Sequence, residues 1–330
     1  MTNRSGLGAV GFIRLAGGLG VAAVTALPLL LSACSSPGGG EEEAISEVSE
    51  ALAGTALFVA PTTSLSAADT LLRNRLQTLG LNVVVKAASA TVAADANGKI
   101  LVVISSTVAP ADVGSKFRNT TTAVVTWESQ IYDDMGMTST ATTEFGTEAS
   151  QLNLTILTSS QPHAMAAGRV GSPTVATSFG TFSWGKPNSN AIRIAAIPGQ
   201  PTKAAIFAYG PGWTMPGLVA PGARVGFFFG DTTASVADAD GAALFDAAIT
   251  WAATANGDSD GDGLRNAVET NLRVFVDNTK TGTNPNNADT DGDALRDGDE
   301  VLGTTAGLNL PAMGTNPLRR DILLEHDWFQ

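Results

Sequence analysis

The sequence has a single cysteine, Cys34, and this scarcity limits the chemistry open to the protein. One thiol cannot build a disulfide framework, and it leaves no cysteine nucleophile for the rest of the chain. The sequence also contains no His-Glu-x-x-His segment, so the zinc-protease chemistry of that motif cannot be assigned to it. The apolar run from Leu19 to Leu31 is shorter than the roughly 20 residues that a transmembrane helix needs.

Basic residues are also scarce in this sequence. The chain has 19 Lys and Arg residues against 31 Asp and Glu residues. An acidic chain repels nucleic acid and anionic membrane surfaces, whereas it attracts divalent cations. We therefore expect no nucleic-acid partner, and we expect metal ions to be the natural counter-charge.

The amino terminus has the organisation of an export signal. Arg4 and Arg14 precede the apolar run, which ends in Leu31-Ser32-Ala33-Cys34. This pattern resembles the bacterial lipobox, which implies that residues 1–33 are removed and that Cys34 carries the acyl chains. The resemblance also implies a lipid-anchored protein of the bacterial cell envelope, and Ser35 in place of aspartate implies the outer membrane, facing outward. A plain secretory signal and an uncleaved anchor are the alternatives.

Residues 34–50 are predicted to be a flexible acidic tether, because they combine glycine, serine and proline with Glu41 to Glu43. Loss of Arg4 and Arg14 with the signal would leave 17 basic residues against 31 acidic ones, a net charge of −14. The mature protein would therefore keep its preference for cations.

Residues 51–255 are predicted to form one α/β domain. Apolar segments of strand length lie at residues 55–60, 82–85, 99–104 and 123–127. Helical segments alternate with them at residues 66–80, 91–96 and 110–119. This alternation predicts a doubly wound, mostly parallel sheet. Added β-strands are predicted at residues 151–157, 191–196, 204–209 and 224–229, and a closing helix at 238–254.

The succession of strands, with Ser105-Ser106 and Trp127-Glu128 at strand ends and the segment 162–168, resembles the class I glutamine-amidotransferase-like, flavodoxin-like fold. Active members of that fold carry a cysteine nucleophile backed by a histidine. Here Trp127-Glu128-Ser129 stands at the corresponding strand end, so the resemblance implies a domain without the nucleophile. Ser129 lacks the Gly-x-Ser-x-Gly elbow, and His163 is the only histidine in the domain.

A possible ligand cleft is predicted where the fourth strand ends, since ligands of open α/β sheets bind at the carboxyl ends of strands. The polar residues that could line it are Glu128, Tyr132, Asp133, Asp134 and His163. Two interpretations stay open: a solvated turn with loop hydrogen bonds, or the acid and base of a carbohydrate-directed hydrolase.

The acidic stretch that begins at Asp258 places oxygen ligands at the positions of a calcium-binding loop. Positions 1, 3, 5, 7, 9 and 12 are taken by Asp258, Asp260, Asp262, the carbonyl of Leu264, Asn266 and Glu269. Gly263 at position 6 permits the sharp turn. The loop therefore predicts a Ca²⁺ site, with a solvated acidic turn as the alternative.

The pattern recurs 31 residues later. The second set of predicted ligands is Asp289, Asp291, Asp293, the carbonyl of Leu295, Asp297 and Glu300. Ala294 replaces the turn glycine, so we expect this loop to bend differently or to coordinate with fewer ligands.

Each loop is followed by Gly-Thr-Asn-Pro, at residues 282–285 and 314–317, and in this the region resembles bacterial thrombospondin type 3 repeats. The resemblance covers about residues 256–320 and implies loop-and-short-helix units that wrap calcium. A paired EF-hand is the alternative, but residues 279–288, rich in Asn, Thr and Pro, are a poor entering helix for the second loop.

Residues 321–330 are predicted to be a strand-like segment. Taken together, the patterns predict a surface-anchored, calcium-binding lipoprotein that binds or presents a surface glycan or protein without catalysis. The alternatives are the hydrolase and the targeting-and-spacer half of a larger secreted enzyme.

Overall fold

The computed structural model describes residues 51–157 and 163–323. The predicted signal, Cys34 and the tether lie outside the described residues, as does the segment after residue 323. The described residues belong to one compact unit. Within the described ranges, no helix combines the length and hydropathy that crossing a membrane requires.

A single ten-stranded sheet organises the fold. In chain order the strands are β1 (Gly54–Ala60), β2 (Leu81–Ala87), β3 (Leu101–Ile104), β4 (Ala123–Thr126), β5 (Phe145–Gln151), β6 (Thr155–Ile156), β7 (Gly180–Gly185), β8 (Ile192–Ile197), β9 (Gln200–Tyr209) and β10 (Arg224–Gly226). The helices are α1 (Ala67–Thr78), α2 (Pro110–Val113), α3 (Ala239–Thr254), α4 (Asp297–Leu302) and α5 (Leu310–Met313).

One half of the sheet is parallel, in the order β2-β1-β3-β4-β10. The middle strands β3 and β4 are buried along their whole length, which explains why their sequences are continuous apolar runs. The other half is antiparallel: β10 pairs with β9, β9 pairs with β7 and β8, β7 pairs with β5, and β8 pairs with β6. The predicted α/β class, with a parallel centre and added strands, is confirmed.

Both long helices have the amino-terminal caps that their sequences suggest. Ser66 accepts a hydrogen bond from the backbone N of Asp69 at the start of α1, at 3.0 Å. Asp238 accepts bonds from the backbone N of Asp240 and Gly241 at the start of α3. The apolar face of α3 packs on the sheet, where Phe245 meets Trp127 with ring centroids 5.8 Å apart. Helix α3 then leads directly into the acidic region.

Several predicted boundaries are corrected. The helix predicted at 110–119 ends at Val113, because Gly114 turns the backbone with a φ of 47°. The strand predicted at 151–157 is replaced by β5, which ends at Gln151, and by the two-residue β6. The strand predicted at 224–229 is regular only as far as Gly226.

The acidic region packs against the α/β domain. Ala267, in the first loop, is 1% exposed and belongs to the same core as α3 and the sheet. Its backbone N donates to the carbonyl of Ala255, and the Asn256 amide donates to the carbonyl of Thr121, just before β4. Residues 279–288 contain a bridge and turns but no helix, in keeping with the argument against a paired EF-hand.

Candidate metal centre

The two acidic loops share one turn geometry. In each loop the aspartate at position 1, Asp258 or Asp289, accepts a hydrogen bond from the backbone N of position 4, at 2.7 and 2.8 Å. It also accepts one from position 6, which is Gly263 in the first loop and Ala294 in the second, at 3.0 and 2.9 Å. Position 6 has a positive φ in both, 100° and 77°. The expectation that Ala294 makes the second loop bend differently is therefore wrong.

Positions 5 and 9 repeat as closely. Asp262 and Asp293 at position 5 accept a hydrogen bond from the backbone N of position 7, at 2.7 and 2.8 Å. Asn266 and Asp297 at position 9 each accept one from the backbone N of position 2, at 2.9 Å. Seven of these eight bonds join a carboxylate oxygen to a backbone N–H, and they bend each loop so that its carboxylates lie close together.

The side chains form four carboxylate groups, and in each group one oxygen per residue lies within 4.8 Å of the others. Positions 1, 3 and 5 of each loop form one group: Asp258, Asp260 and Asp262, and Asp289, Asp291 and Asp293. Position 5 also joins position 12 and an aspartate from further along the chain, giving the groups Asp262, Glu269 and Asp297, and Asp293, Glu300 and Asp321. Each position-5 aspartate therefore belongs to two groups.

Contacts between loops build the second pair of groups. The backbone N of Gly298 donates to Asp262 Oδ2 at 3.0 Å, and that of Asp321 donates to Asp293 Oδ2 at 2.7 Å. Gly298 is needed here, because a Cβ at this position would lie 2.0 Å from the carbonyl oxygen of Asp262. Each loop is thus completed by the chain segment that follows it.

Six carboxylate oxygens in these groups are buried and have no hydrogen-bond partner among the described residues. They are Asp260 Oδ2, Glu269 Oε2, Asp291 Oδ2, Asp297 Oδ2 and both Oε atoms of Glu300. Glu269 and Glu300 are each 2% exposed, and Asp297 is fully buried. A buried carboxylate without a donor is costly, so the oxygens fit the ligand requirement of a hard cation.

No basic side chain replaces that cation in the described region, apart from Arg319, which pairs with Asp321 at 3.0 Å. The other nearby arginines donate to backbone carbonyls: Arg296 to that of Gly261 and Arg320 to that of Asp291. Of the ten carboxylates in the four groups, only that of Asp321 forms an ion pair with a described side chain.

The pKa values show the cost of this crowding. Burial, and then the charges of Asp262 and Asp260, raise the pKa of Glu269 to about 8. Burial, and then Asp293 and Asp291, raise the pKa of Glu300 to about 8. Burial also raises the pKa of Asp297, to about 6. In the absence of a cation, the folded chain resists ionisation of these groups.

The structure brings predicted ligands together, but they do not form one closed coordination shell within each loop. Asn266 bonds through its side chain to Ser259 and to the carbonyl of Thr254, and it stays a predicted ligand. Asp297 turns toward the first loop. Asp321 is a group member that sequence reasoning missed, and the signal was its position four residues after Pro317, the spacing at which Asp289 follows Pro285. The carbonyls of Leu264 and Leu295 stay predicted ligands.

At the second predicted site, the cleft at the end of β4, Glu128 and His163 lie beside different residues of α3. Trp127 beside Glu128 contacts Phe245 in α3, whereas His163 contacts Trp251, with ring centroids 5.8 Å apart. Six helical residues separate those two contacts, or about 9 Å along the axis. His163 is buried there and its Nδ1 accepts a bond from Met165 N, and burial lowers its pKa to about 4.

The remaining cleft residues differ in burial. Tyr132 is fully buried and donates its hydroxyl to the carbonyl of Phe227. Asp133 and Asp134 are half-buried, and burial with the Asp133 charge raises the pKa of Asp134. Glu128 is 7% exposed and accepts a bond from Gln130 N. Burial, and then the charge of Asp231, raise the pKa of Glu128 to about 7.

Comparison with known proteins adds no family assignment. No protein-family model matches the chain, and no curated protein matches it. The structure thus defines a mixed α/β domain with acidic, potentially metal-binding clusters near its carboxyl terminus, and the resemblances drawn from the sequence stay predictions.

Replacing Ala294 with glycine should stabilise the second loop. A left-handed backbone costs an L-residue about 1 kcal/mol relative to glycine, and Ala294 has a φ of 77°. The converse change, Gly263→Ala, should destabilise the first loop by a similar amount, since a Cβ there meets nothing within 4 Å and only the φ matters. Urea unfolding of both variants measures this; shifts of the same sign would contradict it.

The ion-free protein should become less stable as pH rises. Because the folded pKa values of Glu269 and Glu300 lie near 8, their favourable contribution is complete below the ordinary carboxyl pKa and is lost as pH rises through about 8. Unfolding in chelator at pH 5.5 and 8.5 should show a larger loss in wild type than in the Glu269→Gln, Glu300→Gln double variant. Equal losses in the two proteins would refute this.

Proposed function

We propose that residues 256–321 form a calcium-binding module, as the likeness to thrombospondin type 3 repeats implies. The observation that carries the proposal is the set of six buried carboxylate oxygens without donors. An all-oxygen, carboxylate-rich ligand set suits Ca²⁺, which accepts six to eight oxygens in flexible geometry. One ion per group would give four ions, with Asp262 and Asp293 each bridging two.

The module is proposed to serve a surface-anchored lipoprotein whose α/β domain binds or presents a glycan or protein ligand. Lipid on Cys34 would hold the chain to the outer membrane, facing outward. The packing of Ala267 in the domain core favours a calcium-stiffened extension of the domain over a freely moving spacer. Calcium would then hold the later part of the acidic region in a fixed position relative to the first loop and to α3.

A calorimetric Ca²⁺ titration tests this proposal. Asp262→Asn should lower the affinity for two of the four ions at least tenfold, because the residue belongs to two groups. Asp299→Asn is the matched control: it removes the same charge from α4, outside all four groups, and should leave the affinities within about twofold.

Wild-type protein should give saturable heat of binding. An absence of heat, or equal losses in the Asp262 and Asp299 variants, would contradict the proposed sites.

A carbohydrate-directed hydrolase is the second candidate. Its support is Glu128, a buried carboxyl at the end of β4 whose pKa of about 7 suits a general acid at neutral pH. Asp133 or Asp134 would act as the base. On a panel of glycans, hydrolysis should disappear in Glu128→Gln and persist in Glu144→Gln, which alters a glutamate paired with Lys186. No turnover by wild-type protein would remove this candidate.

A further inference from the structure

A hairpin of the acidic region, residues 268–283, contacts the α/β domain at Trp213. The indole Nε1 of Trp213 donates to the carbonyl of Thr279 at 2.9 Å. Lys280 Nζ lies 4.5 Å from the centroid of the same indole ring and donates to the carbonyl of Asn190 at 2.6 Å. Trp213 is 2% exposed and Thr279 and Lys280 are half-buried, so the contact is partly shielded from solvent.

The same hairpin is tied at its base to a metal-group carboxylate. Thr283 Oγ1 donates to Glu269 Oε1 at 3.1 Å, and the hydroxyls of Thr283 and Thr281 are 2.6 Å apart. The backbone N of Thr281 donates to the carbonyl of Val268 at 3.0 Å. Both threonines are fully buried. Glu269 therefore has one oxygen on the threonine pair and its other oxygen, Oε2, without a partner in its carboxylate group.

We propose that residues 268–283 form a calcium-dependent latch, in which an ion bound through Glu269 fixes the Thr281–Thr283 pair and so holds Thr279 and Lys280 on Trp213. The proposal rests on the calcium-binding function proposed above. Without the ion, no donor or cation holds the unpartnered Oε2 of Glu269 toward Asp262 and Asp297, so the position of Glu269 is no longer fixed. The threonine pair then loses its fixed acceptor.

The latch reaches a loop of the α/β domain that joins β9 to β10. Within that loop, Gly212 N donates to the carbonyl of Ala220, and Ala220 N donates to the carbonyl of Trp213. Met215 N donates to the carbonyl of Leu218. These amides exchange slowly with solvent only while the loop is closed, so they report on the latch from the domain side.

Coupling between two sites is reciprocal in free energy. If calcium strengthens the contact with Trp213, then weakening that contact must lower the affinity for calcium by the same factor. Lys280→Met removes the charge and the hydrogen bond to Asn190, and Lys280 is not a member of any metal group. It tests the latch without touching a ligand.

Calcium titration of the full chain provides the first test. Lys280→Met should lower the affinity for at least one ion about threefold or more. Lys203→Met is the matched control. Lys203 also lies over an indole ring, that of Trp184 at 4.6 Å, but it donates its hydrogen bond to Glu148 and not to the hairpin. Its affinities should equal those of wild type. Equal affinities in all three proteins would overturn the latch.

Hydrogen exchange of the amides of Gly212, Met215 and Ala220 at saturating calcium provides the second test. Calcium should slow their exchange several-fold in wild type and in Thr283→Ser, which keeps the hydroxyl. In Thr283→Val the slowing should be lost although calcium still binds. Calcium binding without any slowing in wild type would overturn the latch and leave the proposed function standing. No calcium binding at all would overturn both.

Discussion

Mutual repulsion among buried carboxylates is the constraint on which the carboxyl-terminal region depends. Backbone amides donate to both oxygens of each position-1 and position-5 aspartate, and the turns thus formed bring the carboxylates of each loop within 4.8 Å of one another. Glu269, Glu300 and Asp297 have raised pKa values because burial and neighbouring charge act together. A divalent cation would offset this cost by supplying positive charge. Arg296 and Arg320 do not supply it, because they donate to backbone carbonyls.

The α/β domain gives this region a fixed starting point. Helix α3 lies on the sheet through Phe245, and the chain leaves it at Thr254 to enter the first loop within a few residues. Asn266 ties the loop back to the carbonyl of Thr254. Gly298 and Asp321 then complete successive loops from the following segments, so that order established at α3 passes along the chain by contacts between neighbouring loops.

Several features of the fold and of the acidic loops could be predicted from the local pattern of the sequence. The apolar runs of β3 and β4, the Ser66 cap and the 31-residue repeat of acidic positions each depend on a few adjacent residues. The membership of the four groups could not be predicted that way, because Asp297 and Asp321 reach their partners through tertiary contacts. The expectation that Ala294 changes the bend of the second loop is wrong for a related reason. The hydrogen bond from its backbone N to Asp289 holds Ala294 in a backbone conformation that alanine disfavours.

We propose that cations, rather than hydrogen bonds or basic side chains, neutralise the four carboxylate groups. Long-wavelength anomalous diffraction from crystals grown with Ca²⁺ measures this directly. We expect anomalous peaks within bonding distance of the carboxylate oxygens, about 2.3 to 2.6 Å, in each group, with Asp262 and Asp293 each touching two ions. Ordered carboxylate groups with no anomalous peak at saturating Ca²⁺ would contradict it.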